Sequence, residues 1–259
     1  MGAASRLERI LRSLLAAVPR RARLALVEVI LLVLVLVIFT RVHAAEGTDA
    51  AVATTNADAL QSVERALHLD VELGMNRWLA EHEGLIGPAV LIYRVYYAAL
   101  LGVAIWVFLR HADVYPHIRR TFVAMSGLAL VAFWVLPMAP PRFTLAGVVD
   151  VVAEHDIFGS RSSRDIGNGE NHFSAMPSLH VGWSAWCAYA AWLALRRTYP
   201  RAALLTWVFP LAMIAVVLAT GNHYLLDVVG SGVLLTASIA VANGWDRLVK
   251  RWARTWTNR

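Results

Sequence analysis

Six stretches of this chain are too apolar for a water-facing fold. They run from about Leu24 to Thr40, Leu85 to Leu109, Thr121 to Ala139, Pro177 to Leu195, Ala202 to Ala219 and Tyr224 to Ala242. Each approaches the roughly 20 residues a helix needs to cross the hydrocarbon of a bilayer. Inside that solvent a backbone must satisfy its own hydrogen bonds, so the segments are expected to be helices. The fold class that follows is all-α: a polytopic membrane protein with a six-helix transmembrane bundle. Composition agrees, with 58% hydrophobic residues and a mean hydropathy of +0.55 over 259 residues.

The segments between the runs divide the chain. Residues 1–23 form a basic N-terminus and 24–40 the first span, with Glu28 near its start expected to snorkel to the surface. Val42-His43-Ala44 would pass as a signal-peptidase site, but the apolar run is longer than the 7–15 residues or so of a signal peptide, which favours an uncleaved span. In 41–84, Leu60, Val63, Leu67, Val71, Met75, Trp78 and Leu79 recur at helical spacing, while Glu64, Arg65, Asp70, Glu72 and Arg77 take other faces. The pattern predicts an amphipathic helix on the membrane surface or across the bundle mouth. Residues 85–242 form the transmembrane core and 243–259 a basic tail.

Charge then orients the bundle. Six basic residues precede the first run, three lie in 110–120, three in 196–201 and five in the tail; the opposite loops hold only Arg41, Arg65, Arg77, Arg142, Arg161 and Arg164. The positive-inside rule puts both termini in the cytoplasm of a multi-pass cell-membrane protein. The net charge of +6 is thus spent on topology, and nucleic acid is not an expected partner. Cys187 is the sole cysteine, which excludes an intrachain disulfide. Arginine outnumbers the single lysine, Lys250, a bias that fits a GC-rich bacterial genome.

Three clusters of reactive side chains fall at span ends on the outer side. The first is Ala139-Pro140-Pro141-Arg142-Phe143, where prolines end a span and leave a guanidinium fork suited to phosphate oxygens. The second is Asn171 to His180, in which Pro177 suits a first helical turn and His180 is expected about one turn inside the helix. The third is Thr220 to Asp227, where His223 and Asp227 share a helix face at a spacing of four, so that the carboxylate can fix the imidazole's tautomer. Together His223, Asp227, His180 and Arg142 supply a nucleophile, its orienting group, a proton donor and a phosphate-binding cation, which is the equipment of phosphoryl transfer. No metal or other cofactor is required. Zinc would suit two histidines and an aspartate, but Arg142 would oppose the ion.

The residues also resemble a known family. Pro177-Ser178-Leu179-His180 and Gly221-Asn222-His223-Tyr224-Leu225-Leu226-Asp227 look like the second and third motifs of the type 2 phosphatidic acid phosphatase (PAP2) superfamily. The Ala139–Phe143 stretch is similar to the first-motif region of its inositol-phosphorylceramide-synthase-like branch, to which sphingomyelin synthases are related. The resemblance spans about 85–242. It implies a six-helix core, a phosphohistidine formed at His223, orientation by Asp227 and proton transfer by His180. The chain departs from the pattern where the superfamily has Ser-Arg, at Val216 and Val217, where it has a lysine, at Val135, and in lacking a proline after Arg142. These departures favour the synthase-like branch. Arg94, Arg161 and Arg164 are candidate replacements for the missing cations, with Ser178 and Asn222 as further substrate-binding residues; His172 has no role in the family pattern.

The expected function is an integral-membrane lipid phosphotransferase, inositolphosphotransferase-like, or else a phosphatase of lipid phosphates or polyprenyl diphosphates. The site would act on the extracytoplasmic face, and the substrate would be a phospholipid, isoprenoid or sphingolipid phosphate. Two rivals come from other classes. A transporter or flippase would use the intramembrane Arg94, but no paired broken spans are evident. A non-catalytic scaffold would bind a partner through the acidic 41–84 segment.

Overall fold

The computed structural model describes residues 20–45, 49–155 and 171–257; Arg161 and Arg164 lie outside them. The described residues form helices and contain no strand. The helices are α1 (Arg20–Ala45), α2 (Ala50–Ala66), α3 (Glu72–Ala80), α4 (Glu83–Arg110), α5 (Tyr115–Val135), α6 (Pro141–Thr144), α7 (Val151–Glu154), α8 (Leu179–Leu195), α9 (Pro200–Leu205), α10 (Val208–Ala219) and α11 (Leu225–Thr257). Five segments are long and apolar enough to cross a membrane: Leu24–Ala45, Glu83–Arg110, Tyr115–Val135, Pro200–Ala219 and Leu225–Trp252. The chain divides into two units, 1–38 and 39–259. The described part of the first is the start of α1, whose side chains from Leu24 on are mostly exposed.

In the second unit, α8 is the central element. It packs against α4, α10 and α11, and its buried residues, from Val181 through Trp183, Trp186 and Cys187 to Ala190, point in every direction around the helix. A helix apolar all round belongs in the middle of a bundle. At 17 residues it rises about 26 Å. Its start differs from the sequence expectation. Ser178 is the N-cap, its Oγ accepting from the Val181 N–H at 3.4 Å, so Pro177 stands before the helix and His180 lies in its first turn.

Helix ends differ from the limits of the apolar runs. α5 begins at Tyr115 rather than near Thr121, with a proline in its first turn. α11 runs on through Thr257, so most of the basic tail is helical. The fifth apolar run is interrupted at 206–207, between α9 and α10. At the end of the bundle away from the three motifs, His117 bonds Asp246 at 2.8 Å and the Tyr189 hydroxyl at 3.0 Å, and Arg120 also bonds Asp246. This network ties α5, α8 and α11 together.

The 41–84 segment departs furthest from expectation. It is two helices, not one. α2 is stopped by His68 at φ +56°, with the Leu69 N–H bonding Glu64 O at 2.8 Å and the His68 N–H bonding Arg65 O at 3.1 Å. Such a pair of bonds closes a helix on a left-handed residue. The expected apolar face is also largely turned outward: Val63, Leu67, Val71 and Trp78 are exposed, whereas Gln61, Glu64, Glu72 and Asn76 are buried. Asn76 shows why polar groups can go inside. Its Nδ2 donates to Val149 O and Ala219 O, both at 2.9 Å, and its Oδ1 accepts from the Val149 N–H at 2.7 Å. A buried amide that is fully bonded carries no desolvation penalty of the unpaired kind.

Candidate active site

Three turns meet at one end of the second unit. The first joins α10 to α11. α10 closes with the Asn222 N–H on Val217 O at 3.1 Å and the Gly221 N–H on Leu218 O at 3.2 Å, with Gly221 at φ +72°. Only glycine takes that conformation without strain. A Cβ there would also lie 2.4 Å from Val148 Cγ1. Gly221→Ala is expected to cost about 2–5 kcal/mol, combining left-handed strain with overpacking, read as a fall in Tm of the purified protein. It should also displace Arg142, whose N–H bonds Gly221 O at 3.0 Å.

α11 then begins. Asp227, third in the helix, reaches back so that its Oδ2 accepts from the Tyr224 N–H at 2.8 Å. This is half of a capping box. It sets the carboxylate 3.4 Å from His223 Nδ1, but a closer partner of that nitrogen is the Ala175 carbonyl at 2.9 Å. A carbonyl can only accept. Nδ1 therefore carries the proton, and Nε2 keeps the lone pair. The tautomer expected from Asp227 alone is thus set chiefly by a backbone group.

The second turn holds Arg142, on α6. Its Nη1 donates to Asn222 Oδ1, its Nε lies 3.5 Å from Asp150 Oδ2, and its guanidinium sits 4.7 Å over the Phe143 ring. The third turn, residues 171–178, is pinned to the second. Met138 and Ser174 form a parallel bridge, with the Met138 N–H on Phe173 O at 2.7 Å and the Ala175 N–H on Met138 O at 3.1 Å. From there the chain enters α8 and presents His180. Its ring stacks on Tyr93 at 4.1 Å, leans on Tyr96 at 4.4 Å and lies 5.8 Å from the His223 ring.

These groups enclose a cavity of about 210 Å³ whose wall includes Arg142, His172, His180, Asn222 and His223. The sequence reading missed part of that wall. Phe39, Thr40 and His43, from the end of α1, contribute to it, as does Asn171. Asn171 is held by its Oδ1, which accepts from the Phe173 N–H at 2.9 Å, while its Nδ2 is buried without a partner among the described residues. His43 entered the sequence reading only within the Val42-His43-Ala44 cleavage-site candidate. Among the described residues no three His, Cys, Asp or Glu side chains converge as metal ligands would.

A family model of the PAP2 superfamily matches residues 58–241, from within α2 to well into α11. The chain belongs to the PAP2 superfamily. No match was found among curated proteins or among solved structures. With five membrane-length apolar helices, membership points to a phosphatase-type membrane enzyme.

Within this PAP2 chain the remaining expected site residues are spread out. Ser178 is fully buried. It caps α8, its N–H donates to Asp227 O at 3.3 Å, and its carbonyl accepts from Ser231 Oγ at 2.7 Å, so it joins α8 to α11 and does not line the cavity. Asn222 lines the cavity with both ends of its amide engaged: Oδ1 by Arg142, Nδ2 by Thr220 Oγ1 at 2.8 Å. Arg94 sits on α4 beside Tyr93 but is not part of the cavity wall. The positions that hold cations elsewhere in the superfamily do not face the cavity either. Val217 is buried and gives its carbonyl to the helix-closing turn, and Val135 is 66% exposed at the end of α5.

Proposed function

We propose that the chain is an integral-membrane lipid phosphotransferase or phosphatase that works through a phosphohistidine at His223, on the extracytoplasmic side. The observation that carries this reading is the Ala175 carbonyl on His223 Nδ1, which leaves Nε2 as the unprotonated nitrogen of a residue lining the cavity. Nε2 attacks phosphorus, the N–P bond forms, and the bond to the lipid oxygen breaks. His180, charged while a phosphate occupies the cavity, gives its proton to the leaving oxygen. In the second half-reaction water or an alcohol gives a proton to His180 and displaces the phosphoryl group from Nε2. Arg142, braced by Asn222 and Asp150, neutralises the phosphoryl oxygens.

Size favours a headgroup site. The cavity is smaller than the roughly 300–1,000 Å³ usual for pockets that engulf a whole ligand. The lipid tails would therefore stay in the bilayer. The missing superfamily cations, with an asparagine amide in the wall, favour the inositolphosphotransferase-like branch over a simple phosphatase.

The test is a lipid screen on purified protein beside His223→Ala. Phosphatidic acid, a polyprenyl diphosphate and phosphatidylinositol are each supplied with and without an alcohol acceptor. A new headgroup-bearing lipid that needs both the acceptor and His223 makes it a transferase; free phosphate that needs His223 makes it a phosphatase. Products that form equally in the variant end the enzymatic reading, and transport assays follow.

A further inference from the structure

The first turn of α11 has backbone N–H groups that no helical carbonyl can reach, as every helix start does. Here they are met by three carboxylates. Asp227 takes the Tyr224 N–H. Glu72 Oε1 accepts from the Leu225 N–H at 2.7 Å, and Glu64 Oε1 accepts from the Leu226 N–H at 2.7 Å. Neither glutamate belongs to the catalytic turns. They come from α3 and α2, and both are at most 1% exposed. The sequence pattern had put them on outward faces, so their burial requires a reason.

The pair also carries a clue to its charge. Glu64 Oε2 is buried with no donor among the described residues, and the two carboxyl groups cap the N–H groups of adjacent residues in one turn. Two buried carboxylates this close repel, and a single proton on the pair relieves that. The charged groups acting on the pair are each other and Asp227, with the Tyr224 hydroxyl close by and held by Thr144. Arg65, next to Glu64 in α2, bonds Gln61 instead.

We propose that Glu64 and Glu72 are positioning residues for His223 and Asp227: as a singly protonated pair they fix the first turn of α11 and add one negative charge behind the imidazole. The geometry part is direct. If the Leu225 and Leu226 N–H groups lose their acceptors, the turn that places Asp227 Oδ2 against His223 loosens. The charge part follows from chemistry. A histidine phosphorylated on Nε2 with Nδ1 still protonated has a cationic ring beneath its anionic phosphoryl group, and a negative cap on the ring's far side favours that ring over the neutral imidazole. This deepens the phosphohistidine reading, on which its catalytic consequence rests.

Protonation of the pair gives a pH signature. Burial, then the neighbouring Glu72 and Asp227, hold Glu64 up from an ordinary 4.5 to about 7 against the pull of the Leu226 N–H. Burial raises Glu72 as well. A raised acid favours the folded state when protonated. Its contribution is therefore complete below about pH 4.5 and is lost as pH rises through about 7. Glu64→Gln keeps the acceptor for Leu226 and is permanently neutral, so its Tm should gain on the wild type as pH rises across that window.

The deciding experiment needs no substrate. Histidine-labelled full-length protein in lipid nanodiscs is titrated by nitrogen NMR, with His223→Ala assigning the resonance. Wild type should show a single Nδ1–H tautomer for His223. The double variant Glu64→Gln/Glu72→Gln keeps both acceptors and loses the charge, and its His223 midpoint should fall by roughly half a pH unit or more. Glu64→Ala/Glu72→Ala should also lose the single tautomer. If the Gln pair is folded and its His223 titrates as in wild type, the charge role is wrong. If the Ala pair is folded with tautomer and midpoint unchanged, the whole proposal fails. A lipid screen with no product would sink the phosphohistidine reading and leave these resonances unaffected.

Discussion

His223→Ala is expected to lose the covalent intermediate of the proposed mechanism. Wild-type protein pulsed with a radiolabelled phospholipid and quenched in alkali should carry an acid-labile, base-stable label, and the variant none. Steady-state turnover should fall on the order of 10⁴-fold or more, because direct attack by water lacks a positioned nucleophile. The fold should tolerate the change. His223 Nδ1 is bonded to Ala175 O, with Asp227 Oδ2 more distant at 3.4 Å, and loss of such a bond costs about 1 kcal/mol. A variant with unchanged Tm that still turns over at a tenth of the wild-type rate would falsify the phosphohistidine assignment.

His180→Ala should be selective for the leaving group. With a lipid alkoxide leaving, the first half-reaction should slow about 10²- to 10⁴-fold, the usual worth of a positioned general acid. With an aryl phosphate, whose phenolate leaves without a proton, the loss should be much smaller. Rapid-quench measurement of label appearing on His223 separates this step from resolution of the intermediate. The structure gives the comparison its edge, since the His180 ring packs on both Tyr93 and Tyr96. Equal losses with both leaving groups would remove His180 from the acid's role.

The spans were legible because lipid imposes one rule on every residue in them. Their ends were not, because caps decide ends. The start of α8 shows this: Pro177 reads as a helix opener, yet Ser178 has the hydroxyl that takes the Val181 N–H. Side-chain chemistry let the sequence group His180, His223, Asp227 and Arg142, and the structure brings them to one region. What spacing could not reveal was the partner that fixes His223, since the Ala175 carbonyl is a backbone atom that any residue at 175 would supply. Nor could periodicity find Glu64 and Glu72. A helical pattern assigns charges to the wet face, and nothing local to 41–84 signals that two carboxylates are owed to the start of a distant helix. Glycine at 221 was the more readable clue, because a left-handed residue just past an apolar run marks a helix end.

The capping of α11 has a consequence for biosynthesis. Glu64 and Glu72 precede the N–H groups they bind by 162 and 153 residues. A ribosome delivers the glutamates first, so they wait while the intervening helices are inserted. Until residues 225–226 emerge, the two acids lack the N–H groups they bind. The proposed site is therefore incomplete through nearly all of the chain's own insertion, and it is completed only when the last hairpin docks.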